Sequence, residues 1–457
     1  MDNDKFEAAL QLASDTRHVL IGKGTLEAVP ATFNQAFGDT PAVIVADTNT
    51  YAAAGEAVDR QLRGAGIEVL TPVIFPGQPA LYADFDNVLE LGQQLANLNA
   101  IPIAVGSGTI NDITKLAAYR VARPYMVVAT AASMDGYTAF GAAITKDGFK
   151  QTMSCPAPRA LIADLEVLAG APSRMNSTGY GDLLGKITAG ADWLVADALE
   201  IEPISPPAWE LVQASLRKWT GEPKKLHQGD PTAISNLLEG LVMSGVAMQI
   251  SQSSRPASGS EHRFSHLWEM QAHSYGEPDI PHGFKVGIGS LATAALYELV
   301  LEYDFNSLDI DSICQKWSSA AQVEQQVRQS FDIPVLAEKS VQESLVKYIS
   351  AGQLRQRLML LKERWPQLRD RLKTQLMTAN QLRALLETAG CPTDPTEIGI
   401  DLARLKASYD LARQIRRRYT LLDLLFETNL LQECVNKLFA PSGYWGPYPI
   451  KAGSKDG

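Results

Sequence analysis

IPIAVGSGTINDITKLAAY, residues 101–119, is the stretch on which the fold turns. Residues 101–106, rich in Ile and Val, read as a buried strand. Gly106 and Gly108 then mark a tight turn, and a helical pattern follows. A strand that enters a helix through a glycine turn is half of a βαβ unit. Glycine lets the backbone approach a ligand closely, and the first helical turn offers N–H groups to a phosphate. The full G-x-G-x-x-G fingerprint is absent, because Asn111 stands at the last glycine position. The same residues therefore also suit a plain βα turn.

Similar apolar runs lie on either side: AVIVAD (42–47), EVLTPVIF (68–75), YMVVATA (125–131) and ALIADLEV (160–167). Helical patterns such as DFDNVLELGQQLANL (84–98) separate some of them. The alternation predicts an α/β domain with a largely parallel sheet over residues 1–170. Beyond that the texture changes to long helical stretches, such as GDLLGKITAGADWLVADAL (181–199) and AISNLLEGLVMSGVAMQIS (233–251). Residues 335–440 are charged and helical, with turn signals at 389–399. An all-α domain over 171–457 is expected, with the boundary near APSRM (171–175).

A chain of 457 residues can bury several cores without staples. A net charge of -10 argues against nucleic acid and anionic membranes as main partners. Cys155, Cys314, Cys391 and Cys434 show no C-x-x-C spacing and read as free thiols of a reducing compartment. The start, MDNDKFEAALQLASD, lacks a signal-peptide core. No stretch reads as the ~18 apolar residues of a membrane span. The expectation is a cytoplasmic protein without membrane insertion.

Asp47 ends the run AVIVAD. A carboxylate there can bind ribose hydroxyls and repel a 2′-phosphate, favouring NAD over NADP. It precedes the glycine loop, the reverse of the usual order, so a turn role stays equally open. In VVATAASMDGYTAFGAAI (127–144), Thr130 and Ser133 can contact a cofactor and Asp135 a substrate hydroxyl. Asp135-Gly136 also suits an ordinary surface turn.

Four of the six histidines, His262, His266, His273 and His282, fall within 21 positions. SRPASGSEHRFSHLWEM (254–270) opens with a capping-box pattern, Ser258 to Glu261, and puts His262 and His266 on one helix face. IPHGFKVGIGS (280–290) places His282 at the start of another apolar segment. Two imidazoles and a carboxylate suit Zn²⁺, Fe²⁺ or Ni²⁺ with positions open to substrate. No Glu follows the first His, so this is not the zinc-protease motif. Spacing does not choose the carboxylate. By its local sequence alone, Asp182 in STGYGDLLGK (177–186) reads as a helix N-cap.

Taken in order, GSGTINDITK, TAASMDGY, GYGDLLGK, SRPASGSEH-x-x-SH, PHGFKVGIG and RRRYTLLDLL resemble the iron-containing alcohol dehydrogenase and dehydroquinate synthase-like superfamily. The resemblance is nearest to its bacterial sn-glycerol-1-phosphate dehydrogenase branch and runs through most of the chain. It implies an N-terminal nucleotide-binding α/β domain, a helical C-terminal domain, and a site in the cleft between them. It implies Asp182, His262 and His282 as metal ligands. Gly106, Ser107, Gly108, Thr109 and Ile110 would hold the pyrophosphate. Asp47, Thr130, Ala131, Ala132, Ser133, Thr138 and Ala139 would complete the cofactor site. Asp135, with Asp182 beside it, would touch substrate, and His266 would assist proton transfer. The branch often carries Ser where this chain has Ala139, with Thr138 as a possible substitute. Gly283-Phe284 replaces the Gly-Glu of the synthase branch, which argues against that chemistry.

The function so implied is reversible NAD(P)H-linked reduction of dihydroxyacetone phosphate at one divalent metal ion (Zn, Ni or Fe). NAD is the expected cofactor, with NADP open. A polyol dehydrogenase, a dehydroquinate synthase-like cyclase and a nucleotide-binding module without turnover are the alternatives. Arg255, Arg263 and Lys285 are the phosphate-binding candidates near the motifs. Arg413, Arg416, Arg417 and Arg418 read as a solvated or ion-paired helix face. A small phosphorylated substrate and a homodimer or higher homo-oligomer are expected.

Overall fold

The computed structural model describes residues 3–278 and 280–446. Its centre is a six-stranded sheet in the order β1-β8-β5-β4-β2-β3, with every pairing parallel. The strands are β1 (His18–Gly22), β2 (Ala42–Asp47), β3 (Val73–Phe75), β4 (Ile101–Gly106), β5 (Met126–Ala129) and β8 (Ala160–Asp164). Both faces are covered, so the strands are continuous apolar runs rather than alternating ones. In β2, Val43 and Val45 pack into one core, while Ala42, Ile44 and Ala46 pack into the other. Each such Val or Ile contributes ~1.5–3 kcal/mol when fully buried.

Three details differ from the sequence reading. The run 68–75 yields only the short edge strand β3, with an isolated bridge from Val69 to Ala42. β1 was not anticipated. Nor was the antiparallel hairpin β6 (Ala142–Lys146) and β7 (Phe149–Met153). Its turn is Asp147-Gly148, with φ of 53° and 74°. Two successive positive φ values make a type I′ turn, which Asp-Gly accommodates with little strain.

The order of connections sets the position of the site. From β2 the chain turns outward to β3, whereas from β4 it turns the other way to β5. The carboxyl ends of β2 and β4 therefore flank a topological switch point, the usual place for a ligand on an open α/β sheet. Asp47 and the glycine loop stand at those two ends.

From Ser173 to Leu438 every described element is helical. Six helices frame the site: α1 (Gly108–Arg120), α2 (Ser173–Leu184), α3 (Lys186–Ala198), α4 (Pro231–Ser251), α5 (Ser260–Tyr275) and α6 (His282–Leu301). The stretch read as one helix over 181–199 divides at Gly185. One continuous apolar core runs from a face of the sheet through α2–α6. The N-terminal helix Asn3–Leu12 and the turn after it reach across to α4, where the Gln249 side chain accepts from the Asp15 and Thr16 N–H groups.

Contrary to the sequence reading, α4 and α6 are long and apolar enough to cross a membrane, with mean hydropathy 1.3 and 1.4. Inside the protein, 83% and 78% of those segments are buried. A helix apolar on all sides is also what a core position requires.

Candidate functional site: a metal centre at the foot of a cleft

Asp182, His262 and His282 come from α2, α5 and α6, and backbone contacts bring those helices together. A Cβ at Gly181 would lie 2.4 Å from the Gly283 carbonyl oxygen, and one at Gly283 would lie 1.8 Å from that of Thr178. Only glycine permits so close a crossing of α2 and α6. Between α5 and α6, a Cβ at Gly289 would lie 2.4 Å from the Glu261 carbonyl oxygen.

As a result, one ligand atom from each of Asp182, His262 and His282 lies within 4.8 Å of the others. Asp182 is fully buried and lies well inside α2, so it is not the N-cap that its local sequence also allowed. Each imidazole is oriented by a carboxylate. His262 Nδ1 is 2.8 Å from Glu261 Oε1, and His282 Nδ1 is 2.8 Å from Glu269 Oε1. Ligating histidines are commonly held this way, which fixes the tautomer and directs Nε2 to the ion. Glu261 Oε1 also accepts from the Gly259 N–H at 2.6 Å. The predicted capping box does not form: Gly259, not Ser258, is the N-cap of α5 and has no side chain to complete it.

A second cluster, His266, Glu269 and His282, shares His282. Its carboxylate is already engaged by Lys150 at 3.1 Å and Lys285 at 3.4 Å as well as by His282. The donor chemistry therefore favours the first set.

Charges are tightly interlocked. Lys186 Nζ lies 2.6 Å from Asp182 Oδ1 and 2.8 Å from Asp135 Oδ2, with no exposure of its own. The Asp135 N–H donates to Asp182 Oδ2 at 3.0 Å, and Ser244 Oγ donates to Asp135 Oδ2 at 3.1 Å. Burial alone would raise the Asp182 pKa, but Lys186 and the two imidazoles hold it far below the carboxylate range. Burial and Lys186 push His262 down, yet its bonds to Asp182 and Glu261 outweigh them and raise it to about 9. Burial, then Arg416, drives His266 well below its ordinary value, so its ring is neutral near pH 7.

Asp135, His262, His266 and His282 border a cleft of about 370 Å³, while Asp182 and Lys186 are fully buried and do not line it. Ser107, Gly108, Thr109, Ser133, Asp135 and Ala139 line it from the α/β side, and His262, His266 and His282 from the helical side. α1 starts at the cleft with no side chain capping its first turn, although Ser107 stands at the N-cap. Gly106 and Ile110 stand behind the loop: a Cβ at 106 would lie 2.6 Å from Ile110 Cβ.

Several expected residues do other work. Asp47 caps a helical turn, accepting from Asn49 N at 2.8 Å and Thr50 N at 2.9 Å, and it does not line the cleft. The Thr130 N–H donates to the Gly106 carbonyl, continuing the sheet, and the Ala131 carbonyl accepts from Tyr137. Ala132 packs its carbonyl against Gly179 of α2. Thr138 donates its hydroxyl to the Val242 carbonyl at 2.7 Å, away from the cleft.

Sequence reading missed Lys186, Lys115, Glu261 and Glu269. Lys115 Nζ donates to the carbonyls of Gly136, Ala139 and Gly141, and so shapes the loop after Asp135. Lys186 stands four residues after Asp182, a spacing that does signal a shared helix face. Among the phosphate candidates, Arg255 is used structurally, donating to the carbonyls of Tyr419 and Asp192. Lys285 faces Glu269 and Arg263 faces Asp423. Of Arg413, Arg416, Arg417 and Arg418, Arg413 and Arg417 are ion-paired, with Asp410 and Glu343, as one of the two readings expected, but the four do not share a helix face. Their helix ends at Gln414, Arg413 is buried against the Phe426 ring, and only Arg417 is exposed.

Comparison with known proteins came to the same place. Residues 20–172 match the family described as iron-containing alcohol dehydrogenase. The chain is 40% identical over 256 residues to a glycerol-1-phosphate dehydrogenase (NAD(P)+) of Halalkalibacterium halodurans, covering 56% of this chain and 64% of that one. It thus spans slightly under two thirds of that relative's length. With the protein of the same name from Pyrococcus furiosus it is 32% identical over 283 residues, covering 62% and 78%. With that of Geobacillus thermodenitrificans it is 29% identical over 392 residues, covering 85% and 87%. A probable glycerol dehydrogenase from Sinorhizobium meliloti shares the fold at a TM-score of 0.59 and 13% identity, over 92% of this chain and 97% of that one.

Proposed function

The chain belongs to the glycerol-1-phosphate dehydrogenase family of iron-containing alcohol dehydrogenases, and we propose that it reversibly reduces dihydroxyacetone phosphate to sn-glycerol 1-phosphate with NAD(P)H at a divalent metal ion. The observation that carries this reading is the Asp182, His262 and His282 cluster, whose two histidines line the same cleft as the glycine loop. One carboxylate and two carboxylate-oriented imidazoles form a donor set with open positions, which fits Zn²⁺, Ni²⁺ or Fe²⁺. Such an ion acts as a Lewis acid on a ketone oxygen.

The chain's own residues do the rest. The loop Ser107–Thr109 and the uncapped start of α1 receive the cofactor pyrophosphate. Ala139 at the cleft wall leaves room for the nicotinamide. Asp135, fixed by Lys186 and Ser244, orients the substrate hydroxyl. Neutral His266 lies at the cleft, its ring centroid 6.0 Å from that of His262. It can relay a proton to the product oxygen through water.

The test is NADH and NADPH oxidation with dihydroxyacetone phosphate after loading with Zn²⁺ or Ni²⁺. Absence of turnover with both ions and both cofactors defeats the proposal. The reading includes a cytoplasmic homo-oligomer. The four buried free cysteines support a reducing compartment, and light scattering measures the assembly.

A further inference from the structure

Beside the cleft lies a second cavity of about 330 Å³, which shares Thr152, Ser254, Ser258 and His266 with it. We infer that this cavity is the subsite for the phosphate end of the substrate, with Arg418 as its anion-binding side chain. The inference rests on the phosphorylated-substrate reading above and names the residues that reading leaves open.

Charge is the first argument. Arg263, Lys339, Arg416, Arg417 and Arg418 line the cavity, against the single carboxylate of Glu343 among the described residues. That carboxylate is already taken by Arg417, through Nε at 3.1 Å and Nη2 at 2.9 Å. Arg263 faces Asp423 with one nitrogen, and its other Nη has no hydrogen-bond partner among the described residues. The cavity therefore carries a cationic excess inside a chain whose net charge is -10.

Arg418 is the second argument. It is half-buried, and among the described residues its guanidinium meets only neutral acceptors, the Ser258 carbonyl at 3.0 Å and Ser254 Oγ at 2.7 Å. Glu202 acts on it only through space; partial burial of a guanidinium without a bonded carboxylate is unfavourable, and a dianion relieves it. Burial, with Arg255 beside it, lowers the Arg418 pKa to about 9. Arg presents a planar fork that matches phosphate oxygens in pairs. Ser254 and Ser258, which Arg418 holds, belong to the segment leading into α5 and so connect this cavity to His262.

Placement is the third. His266 borders both cavities, so an anion bound here is joined to the metal cluster by a path as short as one side chain. The glycine loop lines only the first cavity. Cofactor phosphates and substrate phosphate thus have separate places.

The test uses metal-loaded protein with Arg418→Met and Arg418→Lys. Turnover is measured with dihydroxyacetone phosphate and with unphosphorylated dihydroxyacetone, and inorganic phosphate binding is measured by calorimetry. Loss of a charge-assisted bond predicts that Arg418→Met lowers the ratio of kcat/KM, phosphorylated over free, by about 10- to 100-fold. Phosphate affinity should fall in parallel, with Arg418→Lys in between. Equal losses on the two substrates, or unchanged phosphate affinity in a variant with wild-type melting behaviour, would overturn the inference. If Arg418→Met does not fold, Arg418→Lys decides by the same ratio. If the wild type reduces neither ketone, the proposed reaction fails. The subsite is then judged on phosphate calorimetry alone, where wild-type binding weakened by Arg418→Lys upholds it and no binding rejects it.

Discussion

Replacing Gly283 by alanine tests the construction of the metal centre without touching a ligand. The added Cβ would lie 1.8 Å from the Thr178 carbonyl oxygen, 2.7 Å from its carbon and 3.1 Å from Asp182 N. A relaxed carbon–oxygen contact is ~3.3 Å. Helices α2 and α6 must therefore separate by about 1.5 Å at this point, or tilt to the same effect. Asp182 is one turn along α2 from Thr178, and His282 adjoins Gly283 on α6. Metal–ligand distances are held to ~0.2 Å, so such a shift is far outside what the site absorbs. We expect metal affinity to fall about 100-fold or more, beyond the 10–100-fold typical of losing an outer-shell partner. Overpacking should separately cost about 1–3 kcal/mol of stability. Gly287→Ala, one turn further on, is the control. Its Cβ would meet only Leu386, at 3.4 Å, an ordinary contact. In a helix interior that change should stabilise by ~0.5–1 kcal/mol. Affinity is read by competing Zn²⁺ or Ni²⁺ against a chromophoric chelator. Stability is read by melting in excess chelator, so that bound metal does not contribute to the difference. Equal metal affinity in the two alanine variants would refute the reasoning.

Two further perturbations follow. Glu269→Gln removes the carboxylate 2.8 Å from His282 Nδ1 and should weaken metal binding ~10–100-fold while leaving the three ligands intact; unchanged affinity would show that Glu269 does not orient the ring. Glu427 is raised by burial to about 7, against a smaller lowering by Arg357. The folded state therefore holds this proton more tightly than the unfolded state does. The stability it contributes is complete below about pH 4.5 and is lost as pH rises through 7, amounting to at most ~3 kcal/mol. Denaturant midpoints between pH 5 and 8 should fall in the wild type and flatten in Glu427→Gln; parallel slopes would count against this assignment.

What the sequence made legible follows the range of the interactions. The glycine turn and parallel sheet were readable because strand, turn and helix are local patterns within residues 101–120. The histidine cluster was readable because His262 and His266 share one turn of one helix. Asp182 was not, because its place depends on α2 crossing α6, a contact between Gly181 and Gly283 about a hundred residues apart. Only the resemblance of whole motifs supplied it. Lys186 stood in plain view four residues after Asp182, but a lysine without a known partner reads as surface. The arginines at 416–418 misled for a related reason. A basic run after a helical pattern looks like its continuation, yet the next helix begins at Leu421 behind a Thr420–Asp423 capping box. Of the intervening arginines, Arg416 and Arg418 are half-buried and only Arg417 is exposed, and no periodicity marks that change.

Asp135 shows why the cleft needs both halves of the chain. Its loop is held from the α/β half by Lys115, which ties three of the carbonyls that follow it. Its side chain is held from the helical half by Lys186 and Ser244, and its N–H by Asp182. The residue proposed to orient substrate is therefore bonded directly to a proposed metal ligand. A shift at either one is felt by the other within a single hydrogen bond of 3.0 Å. Buried charges linked in this way are costly to break singly, because each break leaves an unpaired group in a low-dielectric setting. Substrate orientation and metal position are thus set by one network.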